Sequence, residues 1–552
     1  MTAMTGIGLY WRTLRHLRPG QFVGRARFRL ARPRPELGTA PPLRAPASDW
    51  VQPAAREASL LGPDRLSLLN VQHSLADHGW DDPLIDRLWR YNLHYFDDLN
   101  AGGASRRTAW QRALVDRWIR ENPPAAGTGW EPYPVSLRIV NWVKWFIGGV
   151  EPDARWLHSL AIQARWLGRR LEWHLLGNHL FANGKALVFA GLFFDGREAQ
   201  GWLQRGMSII ERELVEQVLA DGAHFERSTM YHALALEDLL DLLNIVDARA
   251  PPQSAWRRRL PHWRGIAARM LAWLRAMSHP DGGIAHFNDA AAGVAPGNDE
   301  LERYAARLGV EADAPKAQGL THFDASGHVR VAAGAAVALL DVAPVGPDYL
   351  PGHAHADTLS FELSIGARRV IVNGGTSCYG LGAQRLRERG TAWHSTVQLG
   401  AHDSSEAWSG FRVGRRARVL AVQVGDRTVE AAHDGYRHLP GAPLHRRRWQ
   451  CDAAGLSVDD QVTPPAHDAV ARFHLAPGLS LEGAAPNVWR VVDGNTEIAR
   501  VEVRYGIGRV DDSQYAPRFG MLLPTQCLSV KLTAGRACTR WTWNDDAHPL
   551  PQ

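Results

Sequence analysis

Residues 310–341, with the sequence VEADAPKAQGLTHFDASGHVRVAAGAAVALLD, mark the point where the chain changes its hydrophobic pattern. Before this segment, Leu and Trp recur at the spacing of amphipathic helices. After it, apolar residues alternate with period two in short runs, as in residues 328–331 and 336–340. The Pro-Lys-Ala-Gln-Gly stretch at residues 315–319 is typical of a linker. The sequence therefore predicts a helical domain followed by an all-β domain, with the boundary near residues 310–327.

Seven helices are predicted in the first half from their apolar periodicity and from the Gly, Pro, Asn and Asp residues that separate them. They span residues 105–121, 135–147, 154–176, 179–194, 198–220, 229–247 and 256–277. Because the connections are short, neighbouring helices are expected to pack as antiparallel hairpins. A series of this length indicates an (α/α) toroid or a solenoid of helix pairs, and no internal repeat favours a regular solenoid.

The second half is predicted to fold as an antiparallel β-sandwich, because short alternating runs are separated by frequent turn residues. A chain of 552 residues is also too long for one compact core. The predicted fold class is therefore multidomain α + β, an N-terminal (α/α) toroid followed by a C-terminal β-sandwich. The predicted divisions are a basic lead-in at residues 1–50, the helical domain at residues 51–318 and the β domain at residues 319–552.

The composition does not point to a nucleic acid as the partner. The chain has 63 basic and 57 acidic residues, a net charge of +6, and no basic stripe interleaved with a nucleic-acid-binding motif. On charge alone, an acidic polysaccharide is an equally suitable partner. The four Cys residues lack a CxxC spacing, so neither a zinc ribbon nor a disulfide framework is predicted. The oligomeric state is left open.

The N-terminal stretch at residues 8–35, GLYWRTLRHLRPGQFVGRARFRLARPRP, is basic and amphipathic. It has no uninterrupted apolar region of the kind found in secretory signals, and no stretch of the chain reaches the length of a membrane span. A cytoplasmic location is therefore expected, with a periplasmic or extracellular one left open. The stretch is interpreted as a solvated lead-in that packs on the body, and the alternative is a segment that lies on an anionic membrane surface.

Two polar clusters lie where predicted helices begin. Asn178 and His179 separate two long helices, and capping by Asn178 is the alternative to a functional role. Residues 221–232, DGAHFERSTMYH, form a loop that leads into a helix and place Tyr231 and His232 in its first turns. Capping by the hydroxyl residues of this loop does not account for so many titratable groups together, so a functional role is also expected.

A third cluster, GHAHAD at residues 352–357, lies in the β half. If the segment is extended, His353, His355 and Asp357 share one face. Such a face is costly to bury without partners, and a solvated strand edge is the alternative. His394 begins another β run further along. Imidazoles from separate β segments are suited to binding zinc.

Taken in order along the chain, these residues resemble the pattern of the heparinase II/III-like polysaccharide lyases. The matching positions are Asn178-His179, Tyr231, His353-x-His355 and His394, together with Trp130-Glu131-Pro132-Tyr133, Arg138 and Asn141. The resemblance covers about residues 85–430, and its specificity comes from the ordered combination. The fold of the family, a helical toroid followed by an antiparallel β-sandwich, agrees with the two hydrophobic patterns.

The resemblance implies β-elimination at a uronic acid. Such a reaction must neutralise the carboxylate, remove the weakly acidic C5 proton and protonate the departing O4 oxygen. By analogy, Asn178 and His179 contact the carboxylate, and Tyr231 serves as the acid and often also as the base. His353 assists from the sandwich, as base or by supporting the carboxylate. No cofactor is required for this chemistry.

The resemblance and the charge pattern together predict a groove for an acidic polysaccharide. The residues expected to bind substrate there are Glu131, Tyr133, Arg138, Asn141, His232, Arg385 and Arg389. The cluster of Arg385, Arg387 and Arg389 is expected to clamp a carboxylate or sulfate, because guanidinium binds both through paired hydrogen bonds. A solvated loop is the alternative for this segment.

A structural zinc ion is a further hypothesis that follows from the resemblance. His355, position 373 and His394 match the zinc ligands of several family members, in which the middle ligand is normally Asp. In this sequence it is Asn373, a neutral and poorer ligand. Asp357 or a water molecule is the substitute ligand to consider.

Three functions fit these residues. The favoured prediction is a lyase of an acidic polysaccharide, such as a glycosaminoglycan, alginate or a bacterial exopolysaccharide. The second is a uronate C5-epimerase, which begins with the same proton abstraction and returns the proton to the other face. The third is a non-catalytic glycan-binding or exopolysaccharide assembly protein. The Asn373 departure favours the third function, and the complete set of Asn178, His179, Tyr231 and His353 opposes it.

Overall fold

The computed structural model describes residues 2–466 and 468–543, and within them the chain forms thirteen α-helices and 21 β-strands. The helices are α1 Thr2–Leu14, α2 Pro19–Leu30, α3 Leu75–His78, α4 Arg87–Leu93, α5 Thr108–Glu121, α6 Pro132–Ile147, α7 Ala154–Arg169, α8 Gly177–Phe193, α9 Arg197–Gln217, α10 Thr229–Arg249, α11 Leu260–Ala276, α12 Asn298–Arg307 and α13 Ala383–Arg389. The strands are β1 Arg65–Leu68, β2 Val71–Ser74, β3 Gly319–Phe323, β4 His328–Ala333, β5 Ala336–Asp341, β6 Phe361–Ile365, β7 Arg368–Val372, β8 Val397–Leu399, β9 Ala407–Trp408, β10 Arg412–Val413, β11 Val419–Val424, β12 Thr428–His433, β13 Leu444–Asp452, β14 Gly455–Thr463, β15 Ala469–Leu475, β16 Leu479–Ala485, β17 Val488–Asp493, β18 Thr496–Tyr505, β19 Ile507–Tyr515, β20 Leu523–Lys531 and β21 Arg536–Thr542.

The helices of the first domain form two layers. The helices α6, α8 and α10 pack side by side, and α7, α9 and α11 pack behind them. Helix α8 is buried along almost its whole length, and its two buried polar side chains, Asn183 and Lys185, have partners. Two glycines allow α8 and α9 to approach closely. A Cβ at Gly191 would lie 2.6 Å from the Leu203 nitrogen, and a Cβ at Gly206 would lie 2.7 Å from the Gly184 oxygen. The predicted (α/α) toroid is confirmed.

Two helix ends differ from the prediction in a way that shapes the site. The helix predicted at residues 154–176 ends at Arg169. The chain then reverses, because Asn183 Oδ1 accepts a hydrogen bond from the Glu172 backbone amide at 2.8 Å and Asn183 Nδ2 donates to Glu172 Oε2 at 3.0 Å. Helix α6 begins at Pro132 rather than at residue 135, since Pro is well suited to the first turn of a helix.

The second domain consists of two large antiparallel sheets. One contains eight strands in the order β11-β12-β13-β14-β21-β18-β17-β16, and the other runs β19-β20-β15-β7-β6-β5-β4-β3 with β8 paired to β15. Aromatic rings fill the space between the sheets. The Phe473 ring lies 6.1 Å from that of Phe361 and 5.7 Å from that of Trp541, centroid to centroid. The predicted β-sandwich is confirmed.

The second of these sheets, which contains β3 to β7, packs against the toroid. Val337 and Leu339 of β5 share an apolar cluster with Trp273 of α11. A buried polar pair reinforces this contact, since His279 Nε2 lies 2.6 Å from Glu362 Oε2 of β6. The contact holds the loops of the sandwich over the ends of α6, α8 and α10, which brings side chains from both domains together.

Candidate active site

A cleft of about 1390 Å³ lies between the toroid and the sandwich. Asn178 and His179 of α8, Tyr231 of α10 and His353 from the loop before β6 all line it. These are the four residues predicted to carry chemistry. Tyr379, from the loop after β7, lines the same cleft and was not predicted.

His179 is held at the start of α8 by two neighbours. Its Nδ1 lies 3.1 Å from Glu172 Oε1, and its ring lies 4.5 Å from that of Tyr133, centroid to centroid. Because the carboxylate accepts the Nδ1 hydrogen, Nε2 is the nitrogen that a ligand can use. Gly suits residue 177, since its φ of +54° is left-handed and a Cβ there would also lie 2.3 Å from Leu350 Cδ2. The start of α8 thus lies close against the sandwich loop.

Tyr231 lies in the first turn of α10. The N-cap Ser228 accepts a hydrogen bond from the Tyr231 amide at 3.2 Å, which fixes the start of the helix. The Tyr231 hydroxyl lies 3.0 Å from that of Tyr379, and its ring lies 3.9 Å from that of His353, centroid to centroid. Burial, with Tyr379 and Asp289 nearby, raises the pKa of Tyr231 well above its usual 10.0. The phenol is therefore protonated and suited to donate a proton.

His353 is oriented by Asp289, a residue that the sequence analysis did not single out. His353 Nδ1 lies 2.8 Å from Asp289 Oδ2, so the carboxylate accepts the Nδ1 hydrogen and Nε2 keeps its lone pair. Burial lowers the pKa of His353, although the hydrogen bond to Asp289 opposes the shift. A neutral imidazole with a fixed tautomer is suited to accept a proton.

Asp289 lies at the centre of a buried network. Its Oδ1 lies 2.8 Å from His355 Nε2, and Arg385 donates to both carboxylate oxygens, at 2.7 Å for Oδ2. Although burial raises the pKa of Asp289, the charge of Arg385 and the hydrogen bonds from His353 and His355 hold it well below its usual 3.8. The Asp289 amide also donates to the His353 carbonyl at 2.9 Å. The toroid loop that carries Asp289 is thereby fixed to the sandwich loop that carries His353.

Glu226 is a second acidic residue at this junction. It is 2% exposed, and neither carboxyl oxygen has a hydrogen-bond partner among the described residues. Its Oε2 lies 3.8 Å from His353 Nε2, which is too far for a hydrogen bond. Burial and the charge of Asp289 raise the pKa of Glu226 to about 8. The carboxyl group is therefore mostly protonated at neutral pH, and a neutral acid lies next to the imidazole.

The residues predicted to bind zinc lie together, and each has partners within the protein. His355 Nδ1 and His394 Nε2 lie 3.2 Å apart, in direct contact. Asn373 donates to Ser360 Oγ at 3.2 Å and accepts from the Ser395 amide at 3.0 Å, so both ends of its side chain are engaged. Across residues 2–466 and 468–543, no group of three His, Cys, Asp or Glu side chains is placed to hold a metal. The two imidazoles are spaced like two ligands of one metal, but Asn373 is neutral and already engaged, so a third strong ligand is missing and the structural zinc stays a hypothesis.

We expect the melting temperature of the purified protein to stay within about 2 °C after dialysis against a strong chelator, because Asn373 is neutral, is engaged by Ser360 and Ser395, and gives zinc no third strong ligand. Asp357, which was considered as a substitute zinc ligand, accepts a hydrogen bond from the backbone amide of Asn288 at 2.9 Å. Elemental analysis before and after dialysis provides the control. One zinc per chain, with a clear fall in melting temperature on its removal, would contradict this expectation.

Three of the residues predicted to bind substrate lie in or beside the cleft. Tyr133 and Asn141, both on α6, line it directly. Glu131 precedes the same helix and lies just outside the lining, where it accepts a hydrogen bond from Arg87 at 2.7 Å. Arg87 itself lines the cleft, so an anionic ligand there would meet a guanidinium group that the sequence analysis did not identify.

Arg138 and His232 are buried structural groups and do not reach the cleft. Arg138 donates to Gln163 Oε1 at 2.9 Å and lies over the Trp118 ring at 3.8 Å. His232 Nε2 lies 2.9 Å from the Met270 carbonyl oxygen. The exposed fraction of both residues is 0%, so direct contact with substrate, as predicted for them, is corrected.

Arg385 and Arg389 also do not form a substrate clamp, because both are fully buried on α13. Arg385 is paired with Asp289, and Arg389 donates to the Ala354 carbonyl at 2.8 Å. Their guanidinium groups hold the loop of His353 in place from behind. The prediction of a carboxylate or sulfate clamp is therefore replaced by a structural role.

Comparison with known families agrees with this two-domain site. Residues 95–304 match the model of the heparinase II/III N-terminus, and residues 315–544 match that of the heparinase II/III-like C-terminal region. The chain belongs to the heparinase II/III-like family. The resemblance predicted from the sequence is thus confirmed. The two matched regions correspond to the toroid and the sandwich, and the cleft of this family member lies where they meet.

Two curated relatives of this heparinase II/III-like chain are heparin-sulfate lyases. The one from Bacteroides stercoris is 27% identical over 251 residues, which cover 38% of this chain and 36% of the relative. The one from Pedobacter heparinus is 27% identical over 323 residues, which cover 51% of this chain and 46% of the relative. The match therefore spans less than half the length of these curated relatives.

Solved structures share the fold. A crystal structure of heparinase III superposes with a TM-score of 0.65 at 18% identity, covering 86% of this chain and 81% of that one. The heparan sulfate lyase of Pedobacter heparinus superposes with a TM-score of 0.53 at 19% identity, covering 83% of this chain and 77% of that one. At this level of identity the similarity establishes the toroid and sandwich architecture.

Proposed function

We propose that this heparinase II/III-like protein is a polysaccharide lyase that cleaves a uronic-acid-containing acidic polysaccharide by β-elimination. The observation that carries the proposal is the pairing of Tyr231 with His353 in one cleft, with ring centroids 3.9 Å apart. One ring is a protonated phenol and the other a neutral imidazole. A proton donor beside a proton acceptor meets the needs of an elimination at C5 and O4.

The uronate carboxylate is bound at the start of α8. Asn178 donates to it from the side-chain amide, and His179 contacts it through Nε2. The N-terminus of this helix, Gly177–Phe193, adds partial positive charge at the same place. These groups reduce the negative charge that makes the C5 proton hard to remove, and they stabilise the enolate-like state that forms when it leaves.

His353 Nε2 takes the C5 proton. The electron pair of the C5–H bond forms the C4–C5 double bond as the C4–O4 bond breaks, and Tyr231 donates its phenolic proton to the departing O4. One product chain therefore ends in a new hydroxyl, and the other begins with an unsaturated uronate. His353 loses its proton and Tyr231 regains one before the next cycle, with solvent as the carrier.

A panel of uronate polymers tests the proposal. The names of the curated relatives favour glycosaminoglycans, above all heparan sulfate, as the first substrates, and alginate and bacterial exopolysaccharides complete the panel. The expected result is a rise in ultraviolet absorbance from the unsaturated product end on at least one polymer. Solvent deuterium entering C5 without chain cleavage would favour the C5-epimerase. Binding without either reaction would favour a non-catalytic glycan-binding protein.

Glu226→Gln is expected to extend activity to higher pH. In the wild type, kcat/KM should fall as the pH rises through about 8, the pKa of Glu226, because the ionised group then repels the substrate carboxylate. Gln keeps the neutral shape and cannot ionise, so the variant should keep its activity through this range. The matched control is Glu302→Gln, which removes an exposed carboxylate paired with Arg275. An unchanged alkaline limb in Glu226→Gln would contradict this role.

The same substitution has an expected effect on stability. The pKa of Glu226 is raised from 4.5 in the unfolded chain to about 8, so the folded state retains a proton that the unfolded state has released. This contribution to stability is fully present below pH 4.5 and is lost as the pH rises through about 8. Glu226→Gln should therefore melt at a higher temperature than the wild type at alkaline pH. Thermal unfolding measured across this pH range checks the sign.

A further inference from the structure

The N-terminal helices α1 and α2 carry an unusual concentration of exposed apolar side chains. In the described part of the chain, 23 large apolar residues are exposed, and eight of them lie before residue 40. The most exposed of these eight are Ile7 at 72%, Trp11 at 67%, Val23 at 68% and Leu30 at 81%. Single exposed apolar residues are ordinary, whereas a cluster on two adjacent short helices indicates an interaction surface.

The exposed apolar residues lie on the outward faces of the two helices. Ile7, Trp11 and Leu14 follow the spacing i, i+4 and i+7 along α1, so they share one face. On α2, Val23 and Leu30 are seven residues apart and likewise share a face. A helix at the surface of a water-soluble protein normally turns its apolar face inward. In this pair the apolar faces point toward solvent.

The inward faces make polar contacts with the body. Thr13 is buried and accepts a hydrogen bond from the Trp408 indole at 3.0 Å, and Gln21 is buried and donates to the Tyr349 carbonyl at 3.3 Å. Two ion pairs add to this, Arg12 with Glu406 at 2.7 Å and Arg18 with Glu216 at 2.5 Å. Ring contacts of Tyr10 with Trp408 and of Phe28 with His174 complete the anchor. The exposed side chains of Ile7, Trp11, Val23 and Leu30 are left for a partner.

The same segment is strongly basic. Residues 1–35 contain eight Arg and no Asp or Glu. Five of these arginines are exposed and have no acidic partner among the described residues, namely Arg15, Arg27, Arg29, Arg32 and Arg34. In the sequence, these arginines alternate with the exposed apolar residues of α1 and α2 or follow them directly. The partner of this surface must therefore be both negatively charged and able to take up apolar side chains.

We propose that the outward face of α1 and α2 binds the surface of an anionic lipid bilayer. Arginine guanidinium groups contact lipid headgroups, while Ile, Trp, Val and Leu side chains enter the boundary between headgroups and acyl chains. Trp is favoured at this depth because its ring is apolar and its N–H is polar. An acidic polysaccharide would match the arginines, but it offers no apolar environment for the side chains of Ile7, Val23 and Leu30.

Docking in this way places the cleft next to the bilayer. Thr13, Leu14, Leu17, Gln21 and Arg25 of the helical pair form one edge of the cleft. The pair would lie in the plane of the interface, and none of the helices in the described part of the chain combines the length and hydrophobicity needed to cross a bilayer. This inference does not depend on the proposed lyase activity, since it rests on a different surface.

The experiment is flotation of the full chain with lipid vesicles. Vesicles with about 30% anionic lipid should bind the protein at least about tenfold more strongly than purely zwitterionic ones. Raising the salt from about 0.1 to about 0.5 M should weaken the binding, because it screens the arginines. The double variant Ile7→Ser/Trp11→Ser should lose at least about tenfold in binding. Both side chains are exposed, and an unchanged melting temperature shows that the variant is folded.

The matched control is Leu420→Ser/Val424→Ser, which removes two exposed apolar side chains from β11 in the sandwich. It should bind vesicles like the wild type. Equal loss in the control and in the α1 variant would overturn the proposal, and so would equal binding to anionic and zwitterionic vesicles. Retention on a column of acidic polysaccharide, without any binding to vesicles, would assign the surface to a polymer instead. Slower hydrogen exchange within residues 6–30 in the presence of vesicles would support binding to the lipid bilayer.

Discussion

Replacing Tyr231 with Phe is expected to lower kcat on a cleaved polymer by roughly three orders of magnitude, with KM changed less than about threefold. The substitution keeps the ring against His353, where the centroids lie 3.9 Å apart. It removes only the proton that Tyr231 gives to the departing O4 oxygen, so substrate binding should survive. Initial rates of ultraviolet absorbance give kcat, and a separate titration of polymer binding checks the affinity.

Tyr379→Phe is the matched control for this experiment. The two hydroxyls lie 3.0 Å apart, so either substitution removes the same hydrogen bond. Only Tyr231→Phe removes the proton of the proposed acid. Tyr379→Phe should therefore cost less than about tenfold in kcat. Equal losses in the two variants, or full activity in Tyr231→Phe, would show that Tyr231 is not the acid.

Asp289→Asn is expected to reduce both stability and activity. Arg385 is fully buried and its charge is balanced by Asp289, so removing the carboxylate should cost about 3–5 kcal/mol in the free energy of unfolding. The Nδ1 hydrogen of His353 also loses its carboxylate partner, since the single amide oxygen of Asn must then serve His353, His355 and Arg385. We expect kcat to fall roughly a hundredfold for the folded fraction. Chemical denaturation and rate measurements on the same preparations separate the two effects.

Arg385→Met provides the contrast, because it also leaves a buried charge unpaired but keeps Asp289 against His353. It should lose comparable stability and much less kcat.

In the wild type, the pKa of Asp289 is held well below its usual 3.8, so the contribution of this carboxylate to stability is present above that pH and is lost as the pH falls below it. Equal kcat losses in Asp289→Asn and Arg385→Met would contradict the orienting role of Asp289.

The sequence predicted the architecture well because periodicity reports which face of an element is buried. The change of pattern near Gly319 coincides with the first strand of the sandwich. The helix predicted at residues 154–176 was too long, since apolar residues continue past Arg169. Beyond the end of this helix, Glu172 is held by hydrogen bonds to Asn183, which lies 11 positions further along the chain. Periodicity does not reveal a contact of this kind.

The sequence correctly predicted those cleft residues that belong to a recognisable sequence motif. Asn178, His179, Tyr231 and His353 lie on its walls. Asp289 was missed, because it stands alone in a loop and gains its partners from the sandwich. The signal that could have drawn attention to it is the polar segment His-Phe-Asn-Asp at residues 286–289, which follows Gly282 and Gly283 and interrupts the helical pattern.

The arginines were misassigned for a related reason. A cluster of Arg in a loop between β segments suggests an exposed anion-binding site. Arg385 and Arg389 are instead buried, because Asp289 and the Ala354 carbonyl supply partners that make burial tolerable. Those partners lie far away in sequence, so composition alone could not distinguish a clamp from a support. Glu226 lay inside a predicted cluster, but only its burial without a hydrogen bond shows that it is a neutral acid.

Nuclear magnetic resonance of the digestion product tests β-elimination most directly. The wild-type protein is incubated with the polymer that it cleaves best, and the ends of the product chains are assigned. We expect a double bond between C4 and C5 at the new non-reducing end, one for each chain broken, and hardly any product in a parallel digest of equal length with Tyr231→Phe. Saturated ends produced by addition of water, or wild-type product ends without that double bond, would contradict β-elimination.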